Sequence, residues 1–165
     1  MATNLKNLSE YDLKGLPDIS DCKIAIVKAE WNSAITDKMK SGAVDTLVGL
    51  GISSENVLCI DVPGSFELIA ACRAVADKTD VDAVIAIGCV IRGETPHFDY
   101  ICQGVTYGLS ELNLSYDIPF IFGVLTTENL TQAEDRSGGK HGNKGVEAAI
   151  TAIKMIAVNK KLDIE

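Results

Sequence analysis

The sequence predicts an α/β protein, a three-layer αβα sandwich in which helices cover both faces of a four-stranded parallel sheet. Two observations indicate this fold class. Four short apolar runs are each followed by a segment with helical start and stop signals, so that a β-α unit occurs four times along the chain. The runs are also too apolar to face water, which is typical of a parallel sheet covered on both sides and joined by right-handed crossovers.

Apolar runs, caps and breakers give the boundaries of each element. The predicted strands cover residues 23–28, 57–62, 83–87 and 120–125. The helices behind them are predicted to end near Gly51, Asp77, Leu114 and Arg136, and a last amphipathic helix covers residues 146–160. Candidate helix starts are Asn32 or Ser33, Ser65 or Phe66, Thr95 and Thr127. Pro96 suits the first position of the third helix, after its Thr95 cap. Tyr107 and Leu109 are expected on or near the inner face of that helix.

The chain has 165 residues, a length typical of one domain. We expect residues 22–165 to form that domain. Residues 1–21 are polar and lack helical periodicity, so we expect an arm that becomes ordered only where it docks. The start of the chain has no apolar signal core, and no stretch is long enough to span a membrane. The sequence therefore predicts a cytoplasmic protein with no membrane partner.

Charge and cysteine spacing exclude several classes of partner. The net charge of −8 argues against nucleic acid, because phosphate backbones need a basic surface. Any phosphate bound here must be held by local positive groups. The five cysteines contain no C-x-x-C pair, so neither a zinc site nor a disulfide framework is expected, and buried thiols in a reducing compartment fit better. His97 and His141 lie in settings too unlike to form a metal pair, and we expect no metal.

The unusual residues follow the predicted strands, at the rim where parallel α/β sheets bind ligands. These stretches are Trp31-Asn32 after the first strand and residues 63–67, 88–97 and 126–129 after the others. In the third loop, Gly93 lets the backbone approach a ligand closely, and the following helix start offers N–H groups and a positive dipole end to an anion. His97, in the first turn of that helix, can transfer protons. We therefore predict a site for a small phosphorylated molecule.

Each of these residues also has a purely structural interpretation. Trp31 could stack on a flat heterocycle or merely close the edge of the core. Glu67, in a first helical turn, is favoured there by the helix dipole whatever its function. Arg136, Lys140 and Lys144 could cap a helix and aid solubility, or clamp a phosphate. Neither nucleotide-loop pattern, G-x-x-x-x-G-K-[ST] or G-x-G-x-x-G, occurs, and no Ser-His-Asp or Cys-His arrangement is legible.

Four long stretches, in the same order, resemble the lumazine synthases, the family of the penultimate enzyme of riboflavin biosynthesis. They are residues 62–68 (VPGSFEL), 88–100 (GCVIRGETPHFDY), 122–129 (FGVLTTEN) and 136–145 (RSGGKHGNKG), within a likeness from about Ile24 to Ile156. The resemblance implies a flavodoxin-like fold and a transferase reaction without cofactor or metal. In it, 5-amino-6-(D-ribitylamino)uracil and 3,4-dihydroxy-2-butanone 4-phosphate condense to 6,7-dimethyl-8-ribityllumazine, phosphate and water.

The resemblance also implies a role for each site residue. The ribitylaminouracil would be held by stacking on Trp31, by Ser65, Phe66 and Glu67 around the ribityl chain, by the backbone of Cys89, Val90 and Ile91, and by Phe122 of a neighbouring subunit. The butanone phosphate would be bound by the N–H groups of Glu94 and Thr95 and by a neighbour's Arg136. His97 would move protons, and Asn32 and Lys140 are candidates for supporting roles.

Two positions depart from the family pattern. Trp31 stands where phenylalanine is common, which keeps a stacking face and favours larger tricyclic ligands such as riboflavin. Glu94 puts an acid beside the expected phosphate, so its side chain must turn outward and leave only its amide in use.

The likeness finally implies an assembly. The arm of family members adds a strand to a neighbour's sheet, and their site lies between subunits of a pentamer. The short link before the last helix favours a hollow icosahedral shell of twelve pentamers, with riboflavin synthase as a candidate cargo. The alternative is a non-catalytic flavin-binding or shell-forming protein of the same fold. A passive binder would need neither a proton shuttle at His97 nor a phosphate clamp at Arg136.

Overall fold

The computed structural model of the chain describes residues 7, 9–11 and 18–162. Its strands are β1 (Ile24–Ala29), β2 (Val57–Val62), β3 (Ala83–Ile91), β4 (Phe120–Thr127), β5 (Ser137–Gly139) and β6 (Gly142–Asn143). Its helices are α1 (Ser33–Gly49), α2 (Leu68–Lys78), α3 (His97–Ser115), α4 (Leu130–Glu134) and α5 (Lys144–Leu162). The first four strands form one parallel sheet in the order β2-β1-β3-β4, and β5 and β6 form a small antiparallel pair. None of the helices within the described residues combines the length and apolar character needed to cross a bilayer.

Successive side chains of the central strands enter two different cores, one on each face of the sheet. Ile24 and Ile26 of β1 pack with α1 and α5, whereas Ala25 and Val27 pack with α2 and α3. This alternation is the two-residue period of a strand that is covered on both faces. All of β1 is buried, and so are the first seven residues of β3. The three-layer α/β fold predicted from the sequence is confirmed.

The edge strand β2 departs from the expectation that every strand is too apolar to face water. Leu58 is 38% exposed, and Cys59 and Asp61 are also exposed. Among the described residues β2 pairs with β1 alone, so one of its sides has no neighbouring strand. A strand with one neighbour is covered less than a central strand, and its free N–H and C=O groups can pair with another chain.

Three predicted helix starts are wrong. Helix α2 begins at Leu68 after Glu67, so Ser65 and Phe66 lie in the turn before it. Pro96 rather than Thr95 occupies the cap position of α3, and the helix begins at His97. Thr127 is the last residue of β4, and its side chain is buried. Asn129 caps α4 instead, with its side-chain oxygen accepting a backbone N–H at 2.9 Å. The chain therefore leaves the sheet later, and enters these helices later, than the apolar pattern predicts.

Of three other helix predictions, two are confirmed and one is wrong. Gly51 ends α1 as expected: its φ of 108° is left-handed, and the N–H of Ile52 returns to the Leu47 carbonyl at 3.2 Å. Leu109, on α3, is buried in the core between the sheet and helices α2 and α3, as predicted. The expectation for Tyr107 is wrong, because its side chain is 73% exposed. Residue 107 lies two positions before residue 109, so a helical turn of 100° per residue places the two on different faces.

Most of the expected arm lies outside the described residues, and so does any test of whether it adds a strand to a neighbour. Its described residues, 7, 9–11 and 18–21, are not part of a strand. Ser9 contacts its own chain, since its hydroxyl accepts the N–H of Asn143 at 3.0 Å. Ile19 is buried in the core with α1 and α5. The boundary between arm and domain near residue 21 stays a prediction.

The close contact between α1 and the start of α5 depends on a glycine. A Cβ added at Gly145 would overlap the backbone carbonyl of Met39, so only glycine fits there. Asn143 fixes the approach, because its amide donates to the Lys38 carbonyl at 2.9 Å and its side-chain oxygen accepts the N–H of Gly145 at 2.8 Å. The two helices therefore touch backbone to backbone at this point.

We expect Gly145→Ala to destabilise the chain by roughly 1–3 kcal/mol or more, because overpacking here can be relieved only by moving one helix. The matched control is Gly49→Ala, where an added Cβ meets no atom within 4 Å. The control should gain slightly in stability, because alanine is the better helix former. Urea unfolding followed by circular dichroism measures both. Equal midpoints for Gly145→Ala and the parent chain would contradict the close contact.

Candidate active site

The described chain contains a cavity of about 590 Å³ at the carboxyl ends of β1 and β3. The chain crosses from β2 over β1 to β3, so strand order changes direction at this point, which is where ligands bind in open α/β sheets. The volume suits a small molecule. The cavity is lined by Trp31, Asn32, Gly64, Ser65, Phe66, Glu67, Cys89, Val90, Ile91, His97 and Ile101.

Nine of the residues singled out from the sequence therefore line one space within a single chain. They come from the loops after β1 and β2, the end of β3 and the start of α3, and so lie at the rim of the sheet as predicted. Five others do not line it: Glu94, Thr95, Phe122, Arg136 and Lys140. For two of these five, Phe122 and Arg136, the family resemblance implies a position in the site of a neighbouring subunit.

Trp31 and Phe66 form an exposed aromatic wall of the cavity. Their side chains are 73% and 52% exposed, and neither belongs to the two buried cores. The interpretation that Trp31 closes the edge of the core is therefore wrong for the single chain. Exposing such rings to water is unfavourable, so their flat faces are available to a ring-shaped ligand or to a second chain.

Two glycines leave room for polar side chains of the loop after β2. A Cβ at Gly64 would lie 2.8 Å from a carboxylate oxygen of Glu67, and a Cβ at Gly88 would lie 2.7 Å from the Ser65 hydroxyl. Both distances are shorter than side chains tolerate, so any larger residue would displace the polar groups that line the cavity. The glycines thus set the positions of Ser65 and Glu67.

Cys89 contributes its backbone rather than its thiol. Its carbonyl accepts a hydrogen bond from the Asn32 amide at 2.8 Å. Burial raises the pKa of the Cys89 thiol to about 12, so the thiol stays protonated and unreactive near neutral pH. The role of the Cys89, Val90 and Ile91 backbone towards a ligand stays a prediction.

Buried thiols also predict an alkaline limit to stability. Burial raises the pKa of Cys72, which lies on α2 outside the cavity, from 9.0 to about 12. A pKa raised by folding means that the stabilisation is complete below pH 9 and is lost as pH rises towards 12. We expect the free energy of unfolding to fall across this window, and to fall less steeply in Cys72→Ala. Urea unfolding at several alkaline pH values measures both slopes, and parallel slopes would contradict the assignment.

The loop between β3 and α3 is held by Arg92, which the sequence did not single out. Its guanidinium contacts both carboxylate oxygens of Asp99, at 3.0 and 3.2 Å, and Glu128 at 2.7 Å. It also lies 4.1 Å from the centre of the Phe98 ring. The hydrogen bond to Asp99, followed by that to Glu128, raises the pKa of Arg92. The one sequence signal was that Arg92 is the sole basic side chain, histidine aside, in residues 88–100.

Two carboxylates neutralise Arg92, so it braces the loop rather than offering its charge to a ligand. Glu94 and Thr95 follow it and are exposed, which agrees with the expectation that the Glu94 side chain turns outward. Within the described residues, no backbone carbonyl accepts the N–H of Glu94 or Thr95. These N–H groups precede the 19-residue helix α3, whose positive dipole end favours an anion.

Phe122 and Arg136 lie elsewhere in the chain. Phe122, on the edge strand β4, lines a second cavity of about 330 Å³ together with Lys144 and Glu147, which form an ion pair at 2.8 Å. Arg136 follows α4, and its guanidinium donates to the Gln132 carbonyl at 2.9 Å. The structure records no ion pair of Arg136 with the carboxylates it describes.

Lys140, a candidate for a supporting role, is already paired. Its ammonium lies 3.0 Å from a carboxylate oxygen of Asp135. Across the described residues, no three histidine, cysteine or acidic side chains come close enough together to hold a metal ion. The first cavity is lined by the carboxylate side chain of Glu67 and by the imidazole side chain of His97, and the loop before His97 carries the Arg92 brace.

A parallel sheet with a flavodoxin-like strand order, whose rim cavity combines an aromatic wall, a histidine and a helix N-terminus, defines a class of small-molecule enzyme. A family model described as 6,7-dimethyl-8-ribityllumazine synthase matches residues 21–160. Proteins with that name from Parabacteroides distasonis and Porphyromonas gingivalis are 58% and 56% identical to the chain. The alignments cover 94% and 97% of the chain and 98% and 99% of those relatives.

A third relative of the same name, from Flavobacterium johnsoniae, is 50% identical, with 99% of the chain and 86% of the relative covered. The chain therefore belongs to the 6,7-dimethyl-8-ribityllumazine synthase family. The resemblance stated from the sequence motifs is confirmed.

Proposed function

We propose that the chain is a transferase that condenses 5-amino-6-(D-ribitylamino)uracil with 3,4-dihydroxy-2-butanone 4-phosphate. The products are 6,7-dimethyl-8-ribityllumazine, phosphate and water, and the reaction is the penultimate step of riboflavin biosynthesis. One observation carries the proposal: in a chain of this family, a single cavity gathers the aromatic wall, the polar loop after β2 and His97. No cofactor or metal is needed for this chemistry.

The pyrimidine of the first substrate lies against the Trp31 ring in this proposal. Stacking of two flat rings is favourable, and the exposed Trp31 face has room for it. The backbone of residues 89–91 meets the edge of the pyrimidine. The ribityl hydroxyls bind beside Ser65, Phe66 and Glu67, where a hydroxyl and a carboxylate offer both a donor and acceptors.

The phosphate of the second substrate binds at the start of α3. In this proposal the N–H groups of Glu94 and Thr95, which no backbone carbonyl accepts within the described residues, bind the phosphate, and the dipole of α3 adds to the attraction. A cation is also needed, since the chain carries a net charge of −8 and Arg92 is neutralised by two carboxylates. Arg136 of a neighbouring subunit supplies it, and Lys140 is the weaker candidate because Asp135 already pairs with it.

The site is completed by a second chain. Phe122 and Arg136 do not line the first cavity of their own chain, and Phe122 lies on β4, at the opposite edge of the sheet from β2. A neighbour that presents its β4 edge would bring Phe122 to the pyrimidine and Arg136 to the phosphate. Each subunit then receives Phe122 and Arg136 from one neighbour at its cavity and supplies its own Phe122 and Arg136 to the cavity of the next, as in a closed ring.

The reaction follows from this arrangement. An amine of the uracil adds to the ketone, a first water leaves to give an imine, and phosphate is eliminated. The second amine then adds to the remaining carbonyl, and a second water leaves as the ring closes. Condensation of an amine with a carbonyl is intrinsically easy, so holding two substrates side by side supplies much of the acceleration. His97, exposed in the first turn of α3 beside the phosphate subsite, moves protons between these steps.

The assembly is a cytoplasmic pentamer, and twelve pentamers form an icosahedral shell with riboflavin synthase as its candidate cargo. A stripe along α3 supports an oligomer: Tyr100, Tyr107 and Leu114 recur every seven residues and are 71%, 73% and 84% exposed. Large apolar side chains aligned on one face are typical of an interface. The free edge of β2 can accept the arm of a neighbour. Light scattering of the full chain separates a monomer, a pentamer and a shell.

The activity is tested by mixing the chain with both substrates. We expect the absorbance and fluorescence of the lumazine to appear, with one phosphate released for each product molecule. The non-catalytic alternative predicts that no product forms while riboflavin still quenches the fluorescence of Trp31, the one tryptophan of the chain.

A further inference from the structure

The turn after β1 is fastened to both neighbouring strands. The N–H groups of Glu30 and Trp31 donate to the carbonyls of Val62, the last residue of β2, and of Pro63, which follows it, at 2.8 and 3.2 Å. On the other side, the Asn32 amide donates to the Cys89 carbonyl of β3 at 2.8 Å. A carbonyl can only accept a hydrogen bond, so the amide nitrogen of Asn32 must face it. Hydrogen bonds of residues 30–32 thus join the turn after β1 to the carboxyl ends of both neighbouring strands, β2 and β3.

Asn32 departs from ordinary helix-start geometry in two ways. Its φ of 59° and ψ of 43° are left-handed, and it is the one residue other than glycine with a positive φ among those described. Asparagine tolerates this conformation better than most residues, yet at a cost. It also occupies the cap position of α1 without making a side-chain cap, although asparagine is among the best capping residues. The side chain of Asn32 bonds to Cys89 instead of capping α1, and the backbone of Asn32 is left-handed where it makes this bond.

Trp31 depends on this turn for its orientation. Its side chain is 73% exposed and belongs to neither core, so few contacts of its own hold the ring. The backbone on both sides of it is fixed by the bonds of residues 30–32. The bond from Asn32 also ends on Cys89 in the segment 89–91, a second wall of the cavity.

We propose that Asn32 is a positioning residue: its left-handed backbone and its bond to Cys89 set the distance and angle between the Trp31 ring and the 89–91 edge. A flat heterocycle is then held between the two walls. The identity of that heterocycle as the uracil rests on the proposed function, but the orientation of Trp31 does not. Asn32 acts through Trp31 and Cys89 rather than by touching the reacting atoms.

Two variants separate the bond from the backbone. Asn32→Gly keeps the left-handed conformation without strain and removes the amide, whereas Asn32→Asp keeps the shape but turns a carboxylate oxygen towards the Cys89 carbonyl. The matched control is Asn159→Asp, which breaks an amide-to-carbonyl bond of 2.7 Å to Asp117, far along the chain in α5.

The first readout needs no ligand. Trp31 is the sole tryptophan, so the anisotropy of tryptophan emission reports the freedom of this ring alone. We expect lower anisotropy in Asn32→Gly and Asn32→Asp than in the parent and the control, with circular dichroism and oligomer mass unchanged. Parent-like anisotropy in both variants would overturn the proposal.

The second readout uses riboflavin as the probe and the two substrates. We expect quenching of Trp31 by riboflavin to need about tenfold more ligand in both variants, as for loss of one well-placed hydrogen bond. The KM for the uracil should rise by a similar factor, and the KM for the butanone phosphate should not change. An equal rise in both KM values would mean a general structural role and would contradict positioning. If even the parent forms no lumazine, the proposed function fails, while the anisotropy still decides the role of Asn32.

Discussion

Arg136→Ala raises the KM for the butanone phosphate by roughly 10- to 100-fold in our account, with a smaller effect on the KM for the uracil. Hydrogen bonds to charged groups contribute about 1.5–3 kcal/mol, which corresponds to this range. The side chain is suited to the task because, among the described residues, its guanidinium donates to the Gln132 carbonyl and forms no ion pair. Arg92, in contrast, is neutralised by Asp99 and Glu128.

The matched control for this variant is Arg73→Ala, which removes an exposed guanidinium that pairs with Asp77 at 3.5 Å on α2. The control changes the net charge equally and should leave both KM values near those of the parent. Arg136→Lys should fall between, since a lysine keeps the charge but loses the planar fork. Steady-state kinetics with each substrate varied in turn measures the effect. A KM for the butanone phosphate that stays at the parent value in Arg136→Ala would remove this residue from the clamp.

His97→Ala lowers kcat by about 10²-fold without abolishing turnover, because general acid–base catalysis contributes such a factor while proximity supplies the rest. His97 is exposed at the start of α3 and lines the cavity, so its removal opens space without disturbing a core. Riboflavin binding and the KM for the uracil should change little.

The control for His97 is His141→Ala, the other histidine of the chain, whose backbone N–H bonds to Asp135 in the β5–β6 turn. Its kcat should match that of the parent. Single-turnover measurements with both substrates bound give the comparison. A folded His97→Ala protein that binds both substrates but never forms product would mean that proton transfer carries far more of the catalysis than proximity does.

The sequence predicted the sheet and the rim of the site well, because both depend on patterns within one strand or one loop. Continuous apolar runs gave β1 and β3 within a few residues, and parallel strands necessarily bring their following loops to one edge. The grouping of Trp31 with His97 around one cavity follows from that rule.

Predictions from neighbouring residues are wrong or incomplete where a side chain or backbone group bonds to a residue far along the chain. Asn32 was a candidate cap for α1, but the Cys89 carbonyl, 57 residues away, takes its side chain. Arg92 was overlooked because one of its two carboxylates, Glu128, lies 36 residues further along the chain. Thr127 was expected to cap a helix, but the register of β4 with β3 keeps it in the strand. Competition between local and long-range hydrogen bonds decides such positions, and spacing in the sequence does not reveal it.

The proposed contribution of Phe122 and Arg136 to a site cannot be located within a single chain. Phe122 and Arg136 reach no part of the first cavity in their own subunit, so their proposed roles depend on a second chain.

The most direct test of this shared site mixes two variants within one oligomer. One chain carries Trp31→Ala with His97→Ala, and the other carries Phe122→Ala with Arg136→Ala, so each damages a different half of the site. Each variant alone should be nearly inactive. In randomly mixed oligomers from co-expression, roughly a quarter of the interfaces would combine two intact halves. Our account predicts that lumazine formation recovers towards that fraction of the parent rate. If the mixed oligomers instead show only the average of the two variants, each chain holds its whole site and the account is contradicted.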